Sequence, residues 1–128
     1  MQQTAHKTIS IIDDDDAIRR SIVSLIRSTG YKAREYLSAD AYLGSGDVGM
    51  HDCIITDVYM PGRTGLNLIR VLRNTGYSTP VILMTANLDE HIAAKAAEAG
   101  AVCLLRKPFD SQELLDCIER ALARPAGP

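Results

Sequence analysis

The sequence predicts a single α/β domain in which helices cover both faces of a parallel β-sheet. Short apolar runs alternate five times with segments of helical hydrophobic period along the 128 residues. This alternation is typical of consecutive βα units, whose right-handed crossovers place helices on both faces of the sheet. The length fits one domain, and a hydrophobic fraction of 46% is sufficient for one full core.

Five short segments are predicted to form the strands of this sheet. Four of them are almost continuously apolar, which is typical of strands that are covered on both faces. The second strand is polar, and we therefore expect it at an edge of the sheet. In chain order the predicted strands are Thr8–Ile12, Lys32–Tyr36, Cys53–Thr56, Val81–Met84 and Val102–Leu105.

Helices are predicted between the strands from apolar residues spaced three or four positions apart. Gly30, Gly76 and Gly100 follow the first, third and fourth helical segments, and each is expected to end its helix in a left-handed conformation. The predicted buried stripes are Ile18, Ile22, Leu25 and Ile26; Leu66, Ile69, Val71 and Leu72; Ile92, Ala93, Ala96, Ala97 and Ala99; and Leu114, Leu115, Ile118 and Leu122.

Polar residues are predicted to begin the second and the fifth helices. Ser38 is expected to cap a short second helix that ends near Gly44. Asp110 and Glu113 have the spacing of a capping box, in which each side chain accepts a hydrogen bond from the other residue's backbone N–H.

Composition excludes several classes of protein. The 14 basic and 16 acidic residues nearly cancel, so no general attraction to nucleic acid is indicated. No apolar run approaches the ~20 residues that span a bilayer, and residues 1–7 lack the apolar core of a secretory signal. Cys53, Cys103 and Cys117 form no CxxC pair, which favours buried, reduced thiols in a cytoplasmic protein over a redox or metal role.

Acidic residues follow two of the predicted strands. Asp57 comes after the third strand and shortly before Pro61 and Gly62, so we expect it on the loop at the carboxyl end of that strand. Asp13 and Asp14 come directly after the first strand, whereas the next two acids fit the exposed start of a helix. Ligands bind at this edge of an open α/β sheet, so these carboxylates are expected to share one crevice.

Two further polar residues at the same edge complete a candidate site for phosphoryl transfer. Thr85 follows the fourth strand and offers a hydroxyl donor, and Lys107 follows the fifth and offers a positive charge. Clustered carboxylates raise one another's pKa unless a cation compensates. Mg²⁺ is favoured because it binds through one or two carboxylates and leaves room for phosphate oxygens. Asp57 is then a candidate nucleophile that becomes an acyl phosphate.

Six short segments, in this order and spacing, carry a resemblance to a known family. They are Ile12–Asp15, Thr56–Gly62, Thr64–Gly65, Met84–Ala86, Ala99–Ala101 and Lys107–Phe109. From about residue 8 to residue 122 the sequence resembles the response-regulator receiver domains of two-component signalling, the CheY-like family. The resemblance implies a flavodoxin-like, doubly wound (βα)5 domain with strand order 2-1-3-4-5. We expect residues 1–124 to form this domain and residues 125–128 to be a tail or the start of a linker.

The resemblance also implies roles for individual residues. Asp57 accepts a phosphoryl group from a sensor histidine kinase or a phosphotransfer protein. Asp14 and Asp57 bind Mg²⁺ directly, Asp13 binds it through water, and Tyr59 binds it through its backbone carbonyl. The residues that read the phosphoryl oxygens are Thr85, Ala86 and Lys107. Such a domain is a cytoplasmic signalling phosphoacceptor and catalyses only its own phosphorylation and dephosphorylation.

Two features differ from, or vary within, the family pattern. The switch position three residues before Lys107 often holds Tyr or Phe, but here it holds Leu104. The apolar run around Leu104 suggests a homodimer or partner surface formed by the fourth helix, fifth strand and fifth helix. Tyr59 and Asn87 flank the path of attacking water in this family, and we expect bulky Tyr59 to slow autodephosphorylation.

Other functions remain possible from the sequence. A pseudo-receiver that only binds partners is the main alternative, although the complete set of acids, Thr85 and Lys107 argues against it. A Mg²⁺-dependent phosphohydrolase is disfavoured because such enzymes usually have a second acid where this chain has Tyr59. A flavin-binding electron carrier of the same strand order is rejected because the acids after the first strand would repel the flavin phosphate.

The output that this domain would control is not evident from the sequence. The chain is either a single-domain regulator or the receiver of a longer protein, and its details resemble receivers of LuxR-type transcriptional regulators.

Overall fold

The computed structural model describes residues 7–123, which form a five-stranded parallel sheet of order β2-β1-β3-β4-β5. This is the predicted order. The predicted tail, residues 125–128, lies outside the described residues. The elements are β1 Thr8–Ile12, α1 Asp16–Ser28, β2 Lys32–Tyr36, α2 Ala39–Leu43, β3 Cys53–Asp57, α3 Gly65–Asn74, β4 Val81–Thr85, α4 Glu90–Ala99, β5 Cys103–Arg106 and α5 Ser111–Ala123.

The order of the strands places the switch in winding direction between β1 and β3. The chain passes from β1 outward to β2, and then returns to the other side of β1 to build β3, β4 and β5. The loops after β1 and β3 therefore diverge and leave a crevice at the carboxyl edge of the sheet. The edge position of the polar strand β2 is confirmed.

Three strands differ from their predicted bounds. Asp57 is the last residue of β3 and pairs with Met84, and Thr85 is the last residue of β4 and pairs with Arg106. Both had been expected to follow their strands. The fifth strand is shifted by one residue, to Cys103–Arg106. In each case pairing with a neighbouring strand extends the ladder past the apolar run that marked the strand in the sequence.

The sheet separates two hydrophobic cores because alternate strand residues point to opposite faces. One core lies under α1 and α5 and contains Ile9, Ile11 and Ile55. The other lies under α2, α3 and α4 and contains Ile54 and Leu83. The central strands are fully covered, whereas β5 is an edge strand and only its Leu105 is buried.

The buried helix faces agree with the predicted stripes only in part. In α1 the buried residues are Ile22 and Ile26, as predicted, together with Val23 and the charged Arg19. In α3 the structure buries Leu68, which the predicted stripe omits, and leaves Leu66 partly exposed. In α4 the buried residues are Ile92 and Ala96, and in α5 they are Leu114, Cys117, Ile118 and Ala121.

The predicted helix ends are confirmed in detail. After α4, Gly100 has a φ of 85°, a left-handed conformation that glycine adopts without a steric penalty, and Ala101 N–H donates to Ala96 O at 3.1 Å. Ser38 Oγ accepts a hydrogen bond from Ala41 N–H at 3.0 Å at the start of α2. Within residues 7–123, no helix combines the length and apolar character needed to cross a membrane.

Candidate functional site

Three carboxylates meet at the carboxyl ends of β1 and β3. Asp13 and Asp14 follow β1, and Asp57 ends β3. One carboxylate oxygen from each residue lies within 4.8 Å of the other two. The parallel pairing of β1 with β3 brings both strand ends to one edge, so the predicted acid cluster forms although its members are far apart in the sequence.

Lys107 joins this acid cluster from the loop after β5. Its Nζ atom lies 2.9 Å from Asp57 Oδ2 and 3.1 Å from Asp13 Oδ2. The Asp13 side chain is fully buried, and the side chains of Asp57 and Lys107 are 14% and 13% exposed. These ion pairs are therefore screened less by solvent than surface ion pairs are.

Burial and like charges perturb the ionisation of this cluster. Burial raises the pKa of the Asp57 carboxyl above its ordinary value; the hydrogen bond and charge of Lys107 oppose this effect, and Asp13 and Asp14 add to it. Burial alone would lower the pKa of the Lys107 ammonium, but its hydrogen bonds to Asp57 and Asp13 raise that pKa overall. Lys107 therefore stays positively charged at neutral pH.

The charges of the cluster do not balance. With every group ionised, three carboxylates surround one ammonium, so two negative charges lack a partner within the cluster. The ligand atoms are all oxygens, which hard divalent cations such as Mg²⁺ prefer. The residues present therefore fit a divalent cation both in charge and in ligand type.

Thr85 and Lys107 are linked through the backbone. The Lys107 N–H donates to Thr85 O at 2.8 Å, which ties the end of β4 to the loop after β5. Thr85 is fully buried, and its Oγ1 accepts a hydrogen bond from Asn87 N–H at 3.1 Å. The Lys107–Pro108 peptide is cis. Ala86 and Asn87 are exposed beside Thr85.

Gly65 allows α3 to begin directly against the phosphoacceptor candidate. The Gly65 N–H donates to Val58 O at 2.9 Å, and Val58 N–H donates to Met84 O at 2.8 Å. A Cβ atom at position 65 would lie 2.5 Å from the backbone oxygen of Asp57, which is closer than real Cβ contacts. A side chain here would therefore displace either α3 or the end of β3.

Arg19 supports the acid cluster and is not predicted from the sequence. It is buried in α1, and its Nη1 donates to the backbone oxygen of Asp13 at 2.9 Å. Its other nitrogens bind Asp16 Oδ1 at 2.7 Å and Glu35 Oε1 at 3.0 Å. The sequence gives only a weak indication of this role for Arg19. An arginine on the apolar side of a helix ordinarily buries its aliphatic stem and keeps its guanidinium in water.

The remaining predicted site residues lie around this edge without a described side-chain contact to the acids. Tyr59 is 50% exposed, two residues beyond Asp57. Leu104 in β5 is half-buried and packs against the core under α2, α3 and α4. The proposed metal contact of the Tyr59 carbonyl and the switch role of Leu104 remain predictions.

Comparison with known proteins identifies the family. Residues 9–119 match the family described as response regulator receiver domain, and this range is most of the chain. The chain belongs to the response-regulator receiver family. It is therefore a receiver domain of a two-component response regulator, and not an enzyme that turns over an external substrate. The matched range contains every residue of the acid cluster, Thr85 and Lys107.

Transcriptional regulators are among the curated relatives. The chain is 39% identical over 118 residues to the transcriptional regulatory protein FixJ of Azorhizobium caulinodans, an alignment that covers 92% of this chain and 56% of FixJ. It is 39% identical over 114 residues to the response regulator protein TodT of Pseudomonas putida, covering 89% of this chain and 50% of TodT. The chain thus spans about half the length of these relatives.

Solved receiver structures share the fold. A crystal structure of FixJ-N superimposes with a TM-score of 0.87 at 30% identity and covers 99% of both chains. The chemotaxis protein CheY4 of Vibrio cholerae gives a TM-score of 0.81 at 26% identity, covering 91% of this chain and 98% of CheY4. The CheY-like fold and the resemblance to receivers of transcriptional regulators are therefore confirmed.

Proposed function

We propose that Asp57 is the residue that accepts a phosphoryl group from a sensor histidine kinase or a phosphotransfer protein. The observation that carries this proposal is the 2.9 Å contact between Lys107 Nζ and Asp57 Oδ2 at the mouth of the acid cluster. A carboxylate oxygen of Asp57 attacks phosphorus, the N–P bond of the donor phosphohistidine breaks, and an acyl phosphate forms. The departing imidazole takes up a proton from solvent.

The two unpaired negative charges support Mg²⁺ as the cofactor of this reaction. Asp14 and Asp57 would bind the ion through carboxylate oxygens, Asp13 through water, and Tyr59 through its backbone carbonyl. When bound, Mg²⁺ supplies positive charge to phosphoryl oxygens, which otherwise meet a net negative cluster. Self-catalysed phosphorylation and dephosphorylation then depend on this cluster and on access for water.

Lys107 and Thr85 are proposed to read the phosphorylated state, with Ala86 beside them. New phosphoryl oxygens on Asp57 compete with Asp13 for the Lys107 ammonium. The Thr85 hydroxyl accepts a hydrogen bond from Asn87 N–H and can donate its own proton to a phosphoryl oxygen. The Thr85 carbonyl accepts a hydrogen bond from Lys107 N–H. New contacts of Thr85 and Lys107 with the phosphoryl group are therefore expected to shift the end of β5, the strand that contains Leu104.

We propose that output passes through the face formed by α4, β5 and α5, as a homodimer or as a complex with a partner. Support comes from the edge position of β5 and from half-buried Leu104, which an aliphatic partner surface could cover. Leu104→Asp is expected to abolish association of the phosphorylated protein. Unchanged sedimentation of wild type and variant, with a phosphoryl mimic bound, would reject this face.

The match of residues 9–119 to the receiver family supports a proposed domain organisation. Residues 1–124 form the receiver, and residues 125–128 are a tail or the start of a linker to an output domain. The receiver itself binds neither nucleic acid nor membrane, and it acts in the cytoplasm, where kinases present phosphohistidine. A pseudo-receiver is not favoured by any observation, because the acids, Thr85 and Lys107 are all present.

The decisive experiment is intact mass after incubation with a small phosphodonor and Mg²⁺. Wild type should gain one phosphoryl group, and the gain should disappear with a chelator and in Asp57→Asn. Asp116→Asn, which removes an exposed carboxylate of α5, is the matched control and should be phosphorylated like wild type. A folded wild type that gains no phosphate from either this donor or a histidine kinase would overturn the proposal.

A further inference from the structure

Large apolar side chains are exposed on both sides of the acid cluster. Three of them lie at the carboxyl edge of the sheet: Leu37 follows β2, Tyr59 follows β3 and Leu88 follows β4. Leu37 is 58% exposed and Leu88 is 38% exposed. A single exposed apolar residue is ordinary, whereas several around one site indicate a surface that a partner covers. We call these three residues the apolar collar.

Leu37 and Tyr59 are close to the acid cluster along the chain. Leu37 comes directly after Tyr36, whose carbonyl accepts a hydrogen bond from Asp13 N–H at 3.2 Å. Tyr59 lies two residues beyond Asp57. Because β1 lies between β2 and β3 in the sheet, the acids that follow β1 lie between the loop of Leu37 and the loop of Tyr59. The collar therefore borders the cluster on both sides.

Two contacts join the loops that bear the collar. Arg63 Nε lies 3.0 Å from Asp40 Oδ1, which ties the loop after β3 to the first turn of α2, just beyond the loop after β2. Val58 N–H donates to Met84 O at 2.8 Å, so the chain leaves β3 and β4 side by side. Leu88 lies in the loop after β4. The three loops therefore surround the acid cluster as connected neighbours, with the collar exposed around it.

The position of Asp57 decides what kind of molecule covers the collar. The Asp57 side chain is 14% exposed, so a donor must bring its phosphorus into the crevice between the loops. A protein that presents phosphohistidine there has to lay its own surface on the surrounding loops, and this covers the collar. A small phosphodonor can enter the crevice without contacting the collar. Because the collar carries no charge, it fits apolar residues that flank the phosphohistidine on the donor protein.

We propose that the apolar collar is the docking surface for the protein that carries phosphohistidine, and that Leu37 and Leu88 determine which such protein is accepted. This inference rests on the proposed function of Asp57 and deepens it, because it assigns the donor's contact surface to the loops after β2, β3 and β4. The collar acts through apolar burial, which salt screens little. Leu37 and Leu88 take no part in the chemistry at Asp57.

The test compares a protein donor with a small donor. The protein donor is a phosphorylated histidine kinase that phosphorylates wild type, and the small donor is acetyl phosphate with Mg²⁺; both rates are followed by intact mass of the whole chain. Leu37→Ser and Leu88→Ser should each lower the second-order rate of transfer from the kinase by about tenfold, because each removes apolar area from the contact. Both variants should react with acetyl phosphate at the wild-type rate.

The matched control is Met50→Ser, which removes an apolar side chain that is 71% exposed in the loop between α2 and β3, at the opposite edge of the sheet. It should react with both donors at the wild-type rate. The inference fails if Leu37→Ser and Leu88→Ser accept phosphate from the kinase as fast as wild type, if they slow both donors equally, or if Met50→Ser loses as much. It also fails if acetyl phosphate phosphorylates wild type but no histidine kinase does. A wild type that neither donor phosphorylates would instead overturn the proposed function, and this inference with it.

Discussion

Replacing Arg19 with methionine is expected to weaken both the fold and the acid cluster. Arg19 is 6% exposed and binds the backbone oxygen of Asp13, so its removal leaves a buried carbonyl without its donor. Such a loss costs about 1–3 kcal/mol. Its partners Asp16 and Glu35 have side chains 68% and 39% exposed, so water replaces those contacts at little cost.

We therefore expect Arg19→Met to lower the free energy of unfolding by about 1–3 kcal/mol, most of it from the Asp13 carbonyl. Urea denaturation would measure this as a midpoint lowered by about 1 M. Because Asp13 then loses the contact that holds its backbone, Mg²⁺ affinity measured by calorimetry should also fall. Arg19→Lys should recover only part of either loss, since an ammonium lacks the planar fork that binds three acceptors.

The matched control is Arg63→Met. The Arg63 side chain is 35% exposed and pairs with Asp40, whose side chain is 61% exposed, in a contact outside the acid cluster. Its removal should cost about 0.5 kcal/mol or less and leave Mg²⁺ affinity unchanged. If Arg19→Met and Arg63→Met have the same urea midpoint and the same Mg²⁺ affinity, our account of Arg19 as a support of the cluster is wrong.

Three further predictions concern other parts of the molecule. Gly65→Ala should destabilise the protein by about 1–3 kcal/mol in urea and slow phosphorylation, because its Cβ would clash with the backbone oxygen of Asp57; a wild-type rate would contradict this. Tyr59→Ala should lose its phosphoryl group faster than wild type, as followed by the decay of the phosphorylated mass; an equal lifetime would remove the support for steric protection. Burial lowers the pKa of the His51 imidazole, whose Nδ1 is hydrogen-bonded to Ser10 Oγ at 2.6 Å. The unfolded chain therefore binds the proton first, and stability should fall as pH drops below about 6.5 towards the lower folded-state pKa, a decline that His51→Gln should lack. The charged groups around His51 are Asp47, Arg34 and Asp52.

Much of the fold was determined by local sequence patterns. Strands β1 and β2 have their predicted bounds, and the Asp110–Glu113 capping box forms, with Glu113 N–H donating to Asp110 Oδ1 at 2.8 Å. Such features depend on residues within a few positions of one another. The candidate site was also predictable, because parallel strands necessarily bring the residues at their carboxyl ends to one edge of the sheet.

Contacts between distant segments were decided only by the tertiary structure. The sequence cannot show that Arg19 donates to the Asp13 backbone or that Lys107 bridges Asp13 and Asp57. The Arg19 contact depends on how α1 is rotated against the sheet, and the Lys107 contacts depend on the path of the loop after β5. Both are set by the packing of the whole core rather than by neighbouring residues. The sequence by itself therefore determined which elements and candidate site residues this receiver has, and packing decided which side chains support them.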